Sequence, residues 1–300
     1  PFVPAASGTY YLGVSAYSNL PRSAGGDIFG PSEAPNGPGA GLPLSGWNRC
    51  CISDRGPYTI TLTPQAPFQV QPGRTLALVG GNVTIQRTDL QALSGRVELG
   101  GVAGSGSVGL TVDGNTIDLN FPSQLARANV ALRSSGIDVT GANGGIRLVA
   151  KNIDITRSLV QGGIPSDSQL SNTQTRALEL NATDSITLSD SKVLATLAGQ
   201  GTLGSINLTA GERVLIDSTT ARIVLEPDGV GNAGGINITT GSLSLTNGGE
   251  LLAFTEGRGN VGSLNINARD TVSVDGRSIG EYPSRLSSSV DSGAIGNGGD

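Results

Sequence analysis

Histidine is absent from the 300 residues, and its absence removes the most familiar chemistry first. Ser-His-Asp and Cys-His arrangements both need an imidazole to accept the nucleophile's proton. Histidine metal ligands go with them, which leaves Asp, Glu and carbonyl oxygens as donors. Glycoside hydrolysis asks only for two carboxylates about 5–10 Å apart across a cleft. Asp184, Glu212 and Asp270 are the candidates, because each stands just ahead of a recurring apolar triplet. Recurrence at a bend is also what turn formation selects, since acidic side chains favour bends. No catalytic, cofactor-binding or metal-ligating residue is therefore expected. Gly298-Gly299-Asp300 matches only part of the tandem Gly-Gly-x-Gly-x-Asp calcium repeat. Cys50 and Cys51 are adjacent, where a mutual disulfide would be strained, and they read as two thiols without a role. Four Asn-x-Thr sequons, at Asn82, Asn181, Asn207 and Asn237, arise readily in strands rich in Asn and Thr.

What would position any of these groups is a repeat. One pattern is written three times: Gly204-Ser205-Ile206-Asn207-Leu208, Gly234-Gly235-Ile236-Asn237-Ile238 and Gly262-Ser263-Leu264-Asn265-Ile266. A second triplet follows each: Val214-Leu215-Ile216, Leu243-Ser244-Leu245 and Val272-Ser273-Val274. Two upstream copies begin at Ile146 and Leu178. Alternation over three residues is a short strand with its outer residues on one face. Residues 209–213, 239–242 and 267–271 separate the triplets and read as corners rich in turn residues. A weaker third strand is expected at Val193-Leu194-Ala195, Ile223-Val224-Leu225 and Leu251-Leu252-Ala253.

Three strands and three corners in about 28–32 residues make one coil, with an interior too thin to bury itself. Stacking equivalent strands about 4.8 Å apart solves that problem. The expected fold is thus all-β, a right-handed parallel β-helix preceded by a partial β-sandwich fragment. Residues such as Ile206, Ile236 and Leu264 would form inward ladders, and Asn207, Asn237 and Asn265 outward ones. About seven coils, on the order of 30–35 Å of shaft, are expected. The composition agrees, with 46 Gly and only 4% aromatic residues. A net charge of −5 argues against nucleic acid as a partner. No apolar run approaches the roughly 18 residues of a membrane helix.

Three domains are expected: residues 1–65, 66–128 and 129–300. Residues 7–17 read as an aromatic strand, 20–57 as a long Pro/Gly loop, and Tyr58-Thr59-Ile60-Thr61-Leu62-Thr63 as an alternating strand. This first piece resembles the end of a pre-peptidase C-terminal type of secreted β-sandwich. Residues 109–128 and 277–293 do not fit the repeat. Within them, Asp113-Gly114-Asn115 signals a turn, and Gly280-Glu281-Tyr282-Pro283-Ser284 interrupts the last coil. The chain closes on Gly296-Asn297-Gly298-Gly299-Asp300, which reads as the opening of a further coil. The expectation is a piece of a longer protein.

From Phe68 onward the sequence carries PGRTLALVGGNVTI, then SGRVELGGVAGSGSVGL, and later GNAGGINITTGSLSLTNGGELLAFTEGRGNVGSLNINARDTVSVDG. Together these resemble filamentous-haemagglutinin-like exoproteins of two-partner secretion, in their cyanobacterial type, over residues 68–300. The family's Asn-Pro-Asn-Gly motif does not occur here. The resemblance implies a right-handed β-helix exported through a dedicated outer-membrane barrel transporter to the cell surface or medium. It implies an adhesin-like structural rod that presents binding surfaces to host or neighbouring-cell glycans or proteins, without catalysis. The alternatives are a carbohydrate-active β-helix enzyme, a polysaccharide lyase or hydrolase, and a non-functional rearranged gene fragment.

Overall fold

The computed structural model describes residues 21–27, 44–47, 59–62, 67–104, 106–114, 116–167 and 174–299. The expected strand at 7–17, Cys50, Cys51 and Asp300 lie outside them. The chain divides into two units, Gly8–Pro57 and Pro1–Ser7 with Tyr58–Asp300. In the smaller unit, Pro21–Ser23 pairs antiparallel with both Gly26–Asp27 and Leu44–Trp47. Part of the expected long loop is therefore sheet.

The larger unit has no helix among its described residues, and three parallel sheets of 11, 8 and 3 strands carry it. The 11-stranded sheet contains both expected triplets as two adjoining columns. In the first column Leu76, Val97, Ile146, Leu178, Ile206, Ile236 and Leu264 are register partners in succession. In the second, Val83, Val130, Ile153, Ile186, Val214, Leu243 and Val272 are. Thr59–Leu62 pairs in parallel with Asn82–Gln86 and starts that column. The alternating strand at the end of the first expected domain thus belongs to the repeat. One apolar cluster runs without a break from Leu76 to Val261. At about 1.5–3 kcal/mol for each fully buried aliphatic side chain, this column is the main source of stability.

The stretches between the two triplets bend the chain as expected: at 209–213 the strand breaks at Gly211 and Glu212, whereas at 239–242 and 267–271 it bends without ending. Ile236–Thr246 and Leu264–Val274 each run as one strand through the expected corner. The bend is made by a register shift between Thr240 and Ser242, and by another between Ala150 and Asn152. An unmatched residue kinks a strand without ending its ladder, so Gly241 and Asp270 do not interrupt their strands.

The expected third strand exists as the eight-stranded sheet, but its register differs at one place. Val193, Ala221 and Leu251 are partners, as are Ala195, Ile223 and Ala253. Ile223 therefore sits two residues further along than the expected match to Val193 and Leu251. A shift of two keeps every side chain on its face. It also places a large residue next to Ala in each row, which fills the narrow interior without overpacking. Residues 285–290, expected to lie outside the repeat, form the strand Arg285–Val290 and pair with Glu250–Thr255.

A fourth short strand was not foreseen. Gln200–Leu203, Val230–Ala233 and Arg258–Val261 form the three-stranded sheet. Gly231 and Gly259 there have φ of 142° and 144°, and a Cβ on either would strike the carbonyl of the glycine one circuit earlier. The extra strand adds to the spacing between equivalent residues. Equivalent corner residues are 23 apart at Ser135 and Ser158, before it appears, and 28 apart at Ser191 and Thr219. The expected spacing of 28–32 residues is met at Ser191 and Thr219 but not at Thr88 and Ser135, which are 47 apart, or at Ser158 and Ser191, which are 33 apart.

The corner between the 11-stranded and eight-stranded sheets repeats one device. Arg87, Ser134, Arg157, Asp190, Ser218 and Asn247 all have φ between 46° and 54°. Thr88, Ser135, Ser158, Ser191 and Thr219 follow the first five and are buried. The backbone N–H of Ser135 donates to Ser158 Oγ at 3.2 Å, that of Ser158 to Ser191 Oγ at 3.1 Å, and that of Ser191 to Thr219 Oγ1 at 3.0 Å. Each hydroxyl donates in turn to the carbonyl two residues before it, as Ser191 does to Ser189 at 2.7 Å. The turn points these N–H groups away from any backbone acceptor. A hydroxyl from the next corner in the stack supplies the partner that burial requires.

Candidate functional site on the outer face of the eight-stranded sheet

Because strands alternate, every second residue of the eight-stranded sheet faces outward. Asp89, Gln91, Asp138 and Gln161 do so on the early rungs, then Lys192, Leu194, Thr220, Arg222, Glu250, Leu252, Phe254 and Arg285. Two open depressions lie along this face and meet at Lys192.

The first, about 530 Å³, is bordered by Asp89, Asp138, Arg157, Gln161, Asp190 and Lys192. Three carboxylates and two cations on neighbouring rungs are what an acid-base enzyme would need. Their bonding is of another kind. Asp138 Oδ1 accepts from Thr140 N at 2.9 Å and Thr140 Oγ1 at 2.6 Å, while Oδ2 accepts from Gln161 Nε2 at 2.9 Å. Oδ1 thus holds the local chain and Oδ2 the neighbouring strand. Asp190 is one of the corner residues with positive φ.

The second depression, about 400 Å³, is lined by Lys192, Leu194, Thr220, Arg222, Glu250, Leu252, Phe254 and Arg285 with Ser287, Ser289 and Asp291. Arg285 Nε donates to Glu250 Oε1 at 2.8 Å, and Thr220 Oγ1 to Glu250 Oε2 at 3.1 Å. The Arg222 guanidinium carbon lies 5.8 Å from the centroid of the Phe254 ring, a cation–π distance.

Asp184, Glu212 and Asp270 do share one column, at the bend inside the 11-stranded sheet. The Glu212 N–H donates to the Asp184 carbonyl, and the Ser242 N–H to that of Glu212, both at 2.8 Å. Gly241 therefore intervenes before Asp270. Asp184 is 3.5 Å from Lys151 Nζ. Asp270 takes two hydrogen bonds from Arg269, and this hydrogen bonding, with the charge of Asp270, raises the Arg269 pKa above its ordinary value. Of the three, only Asp184 and Glu212 sit on adjacent circuits.

The insertion at 109–128 contains a hairpin, with Gly109–Asp113 antiparallel to Thr116–Asn120, as the Asp-Gly-Asn turn leads one to expect. It lies on the outer face of the first column. Val102, Leu119, Phe121, Leu125 and Val149 form a separate apolar cluster there. Thr75 Oγ1 accepts from Ile117 N at 2.8 Å, Glu98 Oε2 accepts from Leu119 N at 2.8 Å, and Arg147 donates to the Leu119 carbonyl. Side chains from three circuits thus satisfy the hairpin's inner edge. Arg96 reaches Glu98 at 2.9 Å and also pairs with Asp118. Burial lowers the Arg96 pKa from its ordinary value, and Glu98 opposes that.

The Asn column behaves as expected. Asn237 Nδ2 donates to Asn207 Oδ1 at 2.8 Å, and Asn265 Nδ2 to Asn237 Oδ1 at 2.9 Å. Asn260 and Asn232 repeat this on the three-stranded sheet at 2.9 Å. Among the described residues no group of three or more His, Cys, Asp or Glu could hold a metal ion, and no helix is long and apolar enough to cross a membrane.

Comparison with protein-family models, curated proteins and solved structures found no match to this chain. Its function must be argued from its own residues. Lys192, Arg222, Glu250 and Phe254 were not singled out by sequence reasoning. Their signal was the outward alternation of the third strand. It was hidden because the middle copy was aligned two residues off, which separated Arg222 from Leu194 and Leu252.

Proposed function

We propose that the three parallel sheets are the walls of a right-handed parallel β-helix, and that the chain is a stiff, non-catalytic rod. In this reading it is an adhesin-like exoprotein resembling the filamentous haemagglutinins. An outer-membrane two-partner-secretion barrel carries it to the cell surface or medium, where its outer faces meet glycans or proteins of other cells. The observation that carries this reading is the in-register stacking of like residues through the first two columns, with outward amide ladders at Asn207, Asn237 and Asn265 and at Asn232 and Asn260. Such stacking makes a structure that resists bending and proteolysis and keeps one face constant along its length. The test is labelling of intact source cells with a membrane-impermeant amine reagent, together with analysis of the medium. The chain is expected among the labelled or released proteins. Recovery only from lysed cells overturns the reading.

A second reading has one observation in its favour: Asp89, Asp138 and Asp190 line a depression with Arg157 and Lys192. A carbohydrate-active enzyme would release new reducing or unsaturated ends from a polysaccharide panel. Asp89→Asn would abolish that release. The rod reading expects no release from the unmodified protein.

A further inference from the structure

We propose that the 400 Å³ depression between Lys192 and Arg285 binds a uronic-acid unit of a linear acidic oligosaccharide. The proposal names the ligand class of the exposed rod and rests on that reading for its setting.

Three features of the depression point to this chemistry. The first is charge. Arg285 is neutralised by Glu250 at 2.8 Å, but neither Lys192 nor Arg222 has an ion-pair partner among the described residues. Arg222 Nε is buried and has no hydrogen-bond partner. The protein carries a net charge of −5, so two unpaired cations on adjacent rungs run against its overall balance. The second is the floor. Leu194, Leu252 and Phe254 are outward-facing on a sheet whose early rungs present Asp and Gln. Leu252 is only 8% exposed. Such a surface suits the C–H face of a pyranose ring. The third is the rim, where Thr220, Ser287, Ser289 and Asp291 offer donors and acceptors for ring hydroxyls.

An apolar face, a ring of hydroxyls and one carboxylate on the same unit describe a uronate. The Arg222 fork is planar and matches a carboxylate in bidentate fashion, and the Phe254 ring beneath it restrains its orientation. Rungs recur about every 4.8 Å, so the Lys192-to-Arg285 wall extends roughly 14 Å along the stack, enough for more than one sugar unit in line. The volume lies toward the lower end of the range for ligand sites.

The experiment is calorimetric titration of the purified chain with trigalacturonate, with its fully methyl-esterified form as the neutral twin, and with inorganic sulfate. Trimers of glucuronate and mannuronate extend the panel. At least one free-acid trimer is expected to bind saturably, and its affinity should fall as salt rises. The ester should bind at least tenfold more weakly. Arg222→Gln and Lys192→Gln should each weaken binding at least tenfold while leaving the thermal midpoint unchanged. Lys151→Gln, at the bend of the other sheet, should bind as the unmodified protein does. Lys192 is exposed at the start of its strand, so its variant keeps the test valid if Arg222→Gln fails to fold. No saturable binding by any trimer overturns the proposal. So does equal binding of acid and ester, undiminished binding by Lys192→Gln, or sulfate binding as tight as the best trimer. Because the titration uses purified protein it is independent of export, and the Arg222 and Lys192 variants assign its signal to the depression. Cell-surface labelling reports on export alone, so failure of one is distinguishable from failure of the other.

Discussion

Replacing Ser191 with Ala deletes one buried oxygen and tests the corner ladder directly. Ser191 is 4% exposed. Its hydroxyl donates to the Ser189 carbonyl at 2.7 Å and accepts from the Ser158 N–H at 3.1 Å. The two losses are unequal. The Ser189 carbonyl also accepts from Arg157 N at 3.0 Å, so it keeps a partner. The Ser158 N–H faces the hydroxyl and is itself buried at 6% exposure. Leaving such a donor unpaired costs about 1–3 kcal/mol, and that term sets the prediction. In hydrogen exchange the Ser158 amide should lose protection by roughly ten- to a hundredfold, at 1.4 kcal/mol per factor of ten. The amides of Ser135 and Thr88, one and two rungs further away, should change much less, because stacked circuits couple mainly to their neighbours. Urea unfolding followed by circular dichroism should give a loss of similar size. Ser191→Thr should be nearly neutral, since Thr88 and Thr219 already occupy this column. If Ser191→Ala leaves the Ser158 amide protected and the stability within about 0.3 kcal/mol, the hydroxyl ladder does not bear on stability and the argument fails.

Three further outcomes follow from other parts of the column. Ile236→Asp would place a carboxylate in a site 1% exposed and should lower stability by several kcal/mol, read as a drop in the urea midpoint; an unchanged midpoint would contradict its inward position. Thr255 is fully buried and its Oγ1 has no partner, so Thr255→Val should raise the thermal midpoint by an amount equivalent to about 1 kcal/mol, and a lower midpoint would reveal a hidden bond. Glu98→Ala removes the acceptor of Leu119 N and the buried partner of Arg96. Because Arg96 keeps Asp118, that should cost about 1–3 kcal/mol locally, the cost of the unpaired Leu119 N–H, and speed protease cleavage between 102 and 120 while the Asn207 and Asn237 rungs keep their exchange protection; cleavage at the unmodified rate would show that the hairpin is held by its apolar contacts alone.

Periodicity in the chain was sufficient to place Ile206 over Ile236 and Leu264, and Asn207 over Asn237 and Asn265. Side-chain direction in a strand depends only on parity, and parity can be read from the order of residues. Parity also explains why the two-residue error at Ile223 did no damage to the expected core, yet concealed Arg222. Bends were harder to read. The left-handed residue at Asp190 turns the chain without Gly or Pro, so local composition does not mark it; the register shift between Thr240 and Ser242 falls at Gly241, inside the corner expected at 239–242, where a Cβ would strike the Glu212 carbonyl. The fourth strand was missed because Gly231 and Gly259 look like loop residues until the carbonyl beneath them is seen to leave no room for a Cβ. The depression at Lys192, Arg222 and Phe254 brings together residues that are 30 or more positions apart. Only the stacking of strands decides which cations find a carboxylate across the rung, as Arg285 does, and which are left facing outward without one among the described residues.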